Sequence, residues 1–171
     1  PNCDHQRLCV FPISGQEMKA AVIEKQGGIE NIVYRDFPDP KIGPDDVLVR
    51  VKACGLNYFD IFVRRGMPGL PVPMPWISGG DVAGEIAAVG ADVKGWKVGD
   101  RVAGTSHDAC GVCQKCVEGS YNLCENYGRP GLHKQYGHSV QGADATYVVQ
   151  GVKTIFPLPD GLSFDEGAVI D

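Results

Sequence analysis

From residue 18 onward the apolar positions fall in short runs and two-residue alternations. Met18-Lys19-Ala20-Ala21-Val22-Ile23 is a compact apolar run, and Val47-Leu48-Val49-Arg50-Val51 alternates. Turn chemistry bounds both, with Gly27-Gly28 after the first and Gly43-Pro44-Asp45-Asp46 before the second. A period near two sends successive side chains to opposite faces, so these segments read as β-strands. Residues 84–89, 101–103, 145–149 and 154–158 read the same way. With 23 Gly and 12 Pro to make corners and bulges, the pattern predicts a mainly β fold, a small irregular barrel with inserts. Residues 57–65 alone among the central segments have helical character, with Asn57 as a cap, and the Pro-rich stretch 67–76 returns the chain to the barrel. Near the end, Ser163-Phe164-Asp165-Glu166 fits a capping box and announces a helix. So short a helix gains little alone, so a second unit is expected to follow.

Composition narrows the function. At 171 residues and 43% hydrophobic, the chain is long enough for one packed core. A formal net charge of -5 and the lack of any Lys/Arg-rich run argue against a nucleic-acid surface. No apolar stretch reaches the length of a membrane span, and the first residues have neither a basic nor an apolar leader region, so a cytoplasmic protein is expected. Residues 1–17 differ from the rest, carrying Cys3 and Cys9 without partner spacing and preceding the first methionine, Met18. They read as a leader or an added arm and the catalytic unit as 18–171.

The strongest chemical signal is Cys110, Cys113, Cys116 and Cys124, spaced C-x2-C-x2-C-x7-C within a lobe spanning about 105–135. One short loop at this spacing can fold its thiolates around a tetrahedral ion, and four soft thiolates suit zinc. A closed thiolate shell leaves no position for water, so the expected Zn(2+), one per chain, is structural. Ferredoxin-type iron–sulfur ligation would continue C-x3-C-P, whereas seven residues intervene here and Glu125 follows Cys124. Paired CxxC motifs without a secretory leader fit metal better than disulfides. Cys54, in an apolar run, reads as a small buried hydrophobe. His107, His133 and His138 match no ligand spacing and read as solvated loop residues, and Trp76 and Trp96 as barrel packing.

Five segments in order carry a family resemblance. They are residues 53–60 (Ala-Cys-Gly-Leu-Asn-Tyr-Phe-Asp), 77–84 (Ile-Ser-Gly-Gly-Asp-Val-Ala-Gly), 98–102 (Val-Gly-Asp-Arg-Val), the four-cysteine loop, and 157–163 (Pro-Leu-Pro-Asp-Gly-Leu-Ser). Together they resemble the medium-chain dehydrogenase/reductase superfamily of zinc alcohol dehydrogenases and quinone oxidoreductases. The resemblance implies a GroES-like catalytic barrel, normally followed by a Rossmann domain that binds NAD(H) or NADP(H) at the cleft between the two. This sequence contains no G-x-G-x-x-G fingerprint, and Gly79-Gly80-x3-Gly84 reads instead as close backbone passage. The chain alone is expected to bind a dinucleotide weakly or not at all. The substrate class implied is a small carbonyl compound, enone or quinone, and a homo-oligomer is compatible with the family.

Residue by residue, the sequence departs from the zinc alcohol dehydrogenases. Their catalytic cysteine and histidine positions hold Asn57 and Gly80, and their proton-relay hydroxyl position holds Phe59. Amide and glycine are poor substitutes for thiolate and imidazole, so no catalytic zinc is expected. Aligning Cys54 as a ligand would still leave the site without its imidazole. Asn57, Asp60 and Arg64 resemble instead the zinc-independent quinone and enone reductases. That implies Asn57 and Asp60 as candidate catalytic residues, Asn57 near nicotinamide or substrate carbonyl, with Asp60 orienting a neighbouring backbone or Arg64. Phe62 stands where that branch often has tyrosine, and the four-cysteine lobe is a feature that branch usually lacks.

Overall fold

The computed structural model describes residues 18–69 and 71–170, so the assignment of residues 1–17 as a leader lies outside the described residues. In chain order the elements are β1 (Met18–Ile23), β2 (Ile32–Phe37), β3 (Asp46–Gly55), α1 (Tyr58–Arg65), β4 (Trp76–Ile77), β5 (Asp81–Val89) and β6 (Arg101–Gly104). There follow β7 (His107–Asp108), α2 (Gln114–Val117), β8 (Lys134–Gln135), β9 (Tyr147–Gly151), β10 (Ile155–Pro157) and α3 (Phe164–Gly167). The fold is mainly β, as the pattern predicts. No helix among the described residues is long and apolar enough to cross a membrane.

Five strands form one antiparallel sheet in the order β10-β6-β5-β3-β9, and a second sheet runs β2-β1-β4. β3 is the hub, pairing with β5 from Val47↔Val89 to Gly55↔Asp81 and with β9 from Asp46↔Gly151 to Arg50↔Tyr147. Two register shifts along β3, at Leu48/Val49 and Val51/Ala53, bend the sheet. The barrel interior is filled by Val47, Val49, Val82, Ile86, Val102, Val148 and Ile155, with Cys54 and Trp96 packed at its edge. Trp76 is buried and its Nε1 donates to Gly137 O at 2.8 Å, satisfying the indole inside the barrel wall.

Several expectations shift. β9 begins at Tyr147, two residues later than read, because Asp144 O accepts from Ala21 N and Thr146 N donates to Lys19 O, so this segment is shared with β1 while Thr146 O still accepts from Val51 N of β3. β10 (Ile155–Pro157) loses both ends of its predicted span, Leu158 and Thr154, the latter ending a 3-10 turn (Val152–Thr154) and donating its Oγ1 to Gln150 Oε1 and Gly151 O. β2 lies outside the predicted set. It is an edge strand with Ile32, Val33 and Tyr34 all exposed, so no single buried face imposes an alternation.

α3 is docked: Ala168 is buried with Ala83 and Leu158, beside Leu162 and Phe164. Its capping box is formed, with Ser163 Oγ accepting from Glu166 N at 3.2 Å and Glu166 Oε2 accepting from Ser163 N at 2.8 Å.

A cysteine-rich lobe leaves the barrel after β6 and returns before β9, with the β7–β8 hairpin at its base. Buried Asp108 pairs with Lys153 at 2.9 Å, and Lys153 Nζ also donates to Ala109 O at 2.7 Å. Tyr136, buried, accepts from Gly151 N at 2.9 Å. Burial pushes the Tyr136 phenol up to about 12, so it remains a neutral hydroxyl at ordinary pH. Replacing Tyr136 with Phe orphans a buried N–H and is expected to cost about 1–3 kcal/mol, read as a lower urea midpoint at unchanged m.

Candidate functional site

Two sites emerge, a thiol cluster in the lobe and a polar cleft at the barrel edge. In the lobe, Cys116 is set by α2, with Cys113 at the N-cap, and a 3-10 turn (Tyr121–Leu123) delivers Cys124. The four sulfur atoms lie within 4.8 Å of one another, and Cys110 Sγ and Cys116 Sγ are 3.8 Å apart. Four sulfurs at tetrahedral zinc–sulfur bond lengths stand about 3.8 Å apart, so the cluster fits one such ion.

Donors already point at the sulfurs. Asn126 Nδ2 and the Cys113 and Val112 amides donate to Cys110 Sγ at 3.3, 3.4 and 3.5 Å, and Glu125 N donates to Cys113 Sγ at 3.4 Å. The Asn126 amide, seconded by Val112 N–H, holds Cys110 down to about 6, and the Cys116 N–H lowers Cys113. Burial pushes Cys116 up to about 12, so binding a metal must release its proton. Around this cluster the lobe has little apolar interior. Val112, Val117, Tyr121 and Leu123 are all exposed, and only Ala109, Cys116 and Cys124 are buried together.

The cleft, about 480 Å³, is lined by Asn57, Phe59, Asp60, Gly80, Asp81, Ser106, His107, Tyr127, Gln135 and Tyr136. The turn from β3 into α1 supplies Asn57 and Asp60. Asp60 Oδ2 accepts from Asn57 N at 2.8 Å and its Oδ1 accepts from Gly79 N at 3.0 Å. The carboxylate therefore clamps two backbone segments. Arg64 is not its partner, since Arg64 Nη1 donates to Gly27 O at 2.6 Å. Burial raises the Asp60 pKa against the lowering effect of those two N–H donors. Asn57 stands at the N-cap of α1, yet its Nδ2 donates across the cleft to Asp81 Oδ2 at 2.6 Å.

The side-chain direction at Gly80 runs into Ser106. A Cβ there would lie 3.1 Å from Ser106 Cβ and 3.5 Å from Tyr136 O. The volume that a ligand side chain at position 80 would enter is thus shared with Ser106. Ser106 Oγ and His107 Nδ1 are hydrogen-bonded at 2.8 Å. Cys54 lies beneath, with burial and then the Asp144 carboxylate raising its thiol pKa far above the usual range, which leaves it an unreactive packing group.

The histidines depart from their reading as solvated residues. His133 is 4% exposed, its ring centroid 4.5 Å from Tyr127 and 5.6 Å from His107. His138 packs edge-on to Phe59 at 5.3 Å. Sequence spacing missed Ser106, His107 and Asp81 as companions of Asn57, because sheet pairing alone brings these distant segments together.

Burial, then the neighbouring His107, lowers the His133 pKa below 6.5. The unfolded chain then takes up a proton near pH 6.5 that the folded chain refuses, so stability is full above that pH and falls below it. The urea midpoint is expected to drop between pH 7.5 and 5.5, and to drop less in His133→Gln, which isolates this histidine from other acid effects.

Residues 43–160 match the family described as alcohol dehydrogenase GroES-like domain. Sorbitol dehydrogenase of Bacillus subtilis is 39% identical over 158 residues, spanning 91% of this chain and 42% of that protein. L-threonine 3-dehydrogenase of Salmonella gallinarum is 31% identical, spanning 90% of this chain and 43% of that protein. Among solved structures, an NAD-dependent alcohol dehydrogenase superposes with TM-score 0.82 at 37% identity, over 90% of this chain and 43% of that one. A cobalt- and zinc-bound thermostable alcohol dehydrogenase from Pyrobaculum aerophilum gives 0.79 at 32% identity, over 90% and 44%. The chain thus spans less than half the length of each. With the barrel, the lobe and the family match in agreement, the chain belongs to the alcohol dehydrogenase GroES-like domain family of the medium-chain dehydrogenase/reductases.

Proposed function

We propose that the whole protein is an NAD(P)H-dependent oxidoreductase that reduces a small activated carbonyl compound, an enone or quinone, and uses zinc only structurally. One observation carries this reading. Where a metal-dependent cleft would present thiolate and imidazole, Asn57 is tied to Asp81 and the space beside Gly80 is shared with Ser106. The cysteine cluster is the zinc site of this proposal, held by Cys110, Cys113, Cys116 and Cys124. Under this reading a dinucleotide supplies the hydride from a domain outside this chain, which spans 42% of the length of the sorbitol dehydrogenase it resembles. The cleft's task is then to orient the substrate and stabilise negative charge on its oxygen.

A second reading, alcohol or polyol oxidation at a metal held by an unusual ligand set, is favoured by the likeness to sorbitol dehydrogenase. Metal counting on the intact protein separates them. One zinc per chain, with enone or quinone turnover insensitive to a mild chelator, supports the first reading. Two zincs per chain, with alcohol oxidation lost as one is removed, establishes the second. Under the first reading Asn57→Ala lowers kcat by about tenfold or more at unchanged zinc content. Unaltered kinetics would reduce Asn57 to a helix cap.

A further inference from the structure

We propose that Ser106 and His107 form the proton-delivery pair of the cleft, with Ser106 Oγ donating to the substrate oxygen and His107 replenishing it; this assignment rests on the metal-free reading above. Three observations converge. Both residues line the cleft beside Asn57 and Asp81. Their side chains are already hydrogen-bonded, Oγ to Nδ1, at 2.8 Å. Ser106 also stands in the direction a side chain at position 80 would take, so a hydroxyl occupies the neighbourhood where a metal ligand would project.

The chemistry balances. A reduced nicotinamide, when bound, would supply the hydride and its electron pair, and the substrate's displaced π pair would leave negative charge on its oxygen. That oxygen takes the Ser106 Oγ proton, Oγ takes the Nδ1 proton of the His107 imidazolium, and the neutral imidazole, still carrying its Nε2 proton, recovers a proton on Nδ1 from solvent before the next turnover. The net change is one hydride and one proton added to the substrate. A serine hydroxyl alone is a weak acid, and the adjoining imidazole supplies a proton donor with a pKa near the working range.

Rings and charged groups surround His107. On one side are the rings of Tyr127 at 5.8 Å and His133 at 5.6 Å. Asp108 follows it on β7, itself paired to Lys153 and approached by Lys134 at 3.6 Å. Asp60 and Asp81 belong to the same cleft.

The experiment uses the intact zinc-loaded enzyme with a simple enone and a simple quinone as probes. Ser106→Ala should lower kcat by about 100-fold with KM little changed, and Ser106→Thr should restore most of it. In the parent, kcat should fall as pH rises through the imidazole pKa, and His107→Gln should abolish that limb. Independently of turnover, the His107 Nδ1 resonance should shift in Ser106→Ala without substrate. Unchanged kcat and pH profiles in Ser106→Ala and His107→Gln, at one zinc per chain, would overturn the pair and leave the metal-free reading standing. A second zinc required for turnover would remove that reading and the pair with it.

Discussion

Cys116→Ser is expected to take bound zinc from one per chain to near zero and to lower Tm by roughly 10 °C or more. Cys116 is buried at the end of the short helix α2, and the cluster it completes is the main interior the lobe possesses. Two residues of that interior, Ala109 and Cys124, would lose the ion that draws the loop around them, while the exposed Val112, Val117 and Leu123 offer no alternative core. Because the thiols are not prearranged in an unfolded loop, the binding free energy of the proposed zinc would also be folding free energy of the lobe. Native mass spectrometry gives the stoichiometry and thermal denaturation the stability. Cys54→Ala, away from the cluster, should leave the zinc count at one. A Cys116→Ser protein that retains zinc and melts like the parent would eliminate the structural role of the cluster.

Gly79→Ala should be nearly as damaging, at roughly 2–5 kcal/mol, from the combined cost of a left-handed backbone and of overpacking. Gly79 has φ +95°, and an added Cβ would lie 2.6 Å from Cys54 Sγ and 2.9 Å from Asp144 N. The residue cannot move aside easily. Its N–H donates to Asp60 Oδ1 and its carbonyl accepts from Ala143 N at 2.9 Å, so relief of the clash breaks one tie or the other. The neighbouring Gly80 and Asp81 belong to the cleft, so the variant should lose turnover beyond what its reduced folded fraction explains. Urea titration and kinetics on the same preparation separate the two effects. A parent-like urea midpoint would show that the close packing around Gly79 relaxes at little cost.

What could be read from the sequence followed burial. β1, β3 and β5 carry buried side chains along one or both faces, and their apolar patterns announced β1 whole but only residues 47–51 of β3 and 84–89 of β5. β2 gave no such signal, because Ile32, Val33 and Tyr34 face solvent and the strand exists through its pairing with β1. The hairpin of β7 and β8 is two residues on each side, shorter than any periodicity can report. The cysteine spacing was informative because the four thiols meet within a local loop. Asn57 illustrates the opposite case. Its helix-capping position was legible in the sequence, whereas the bond from its side chain to Asp81 depends on the β3–β5 register, which places Gly55 opposite Asp81. His133 looked like a loop residue for the same reason, since its cover is supplied by Tyr127 and His107 after the lobe has folded.

The pairing of β3 with β9 joins Asp46 to Gly151, with the whole cysteine lobe threaded between the two strands. Ring closure over so long a stretch is entropically slow, whereas four thiols drawn from one short loop can meet quickly. On a ribosome the lobe emerges before β9 does, so metal capture has the opportunity to precede barrel closure. The ion would then act during synthesis as a clasp that shortens the effective loop, bringing the last strand back to the hub. Zinc scarcity should accordingly reduce the yield of folded protein more than it reduces the stability of protein already folded.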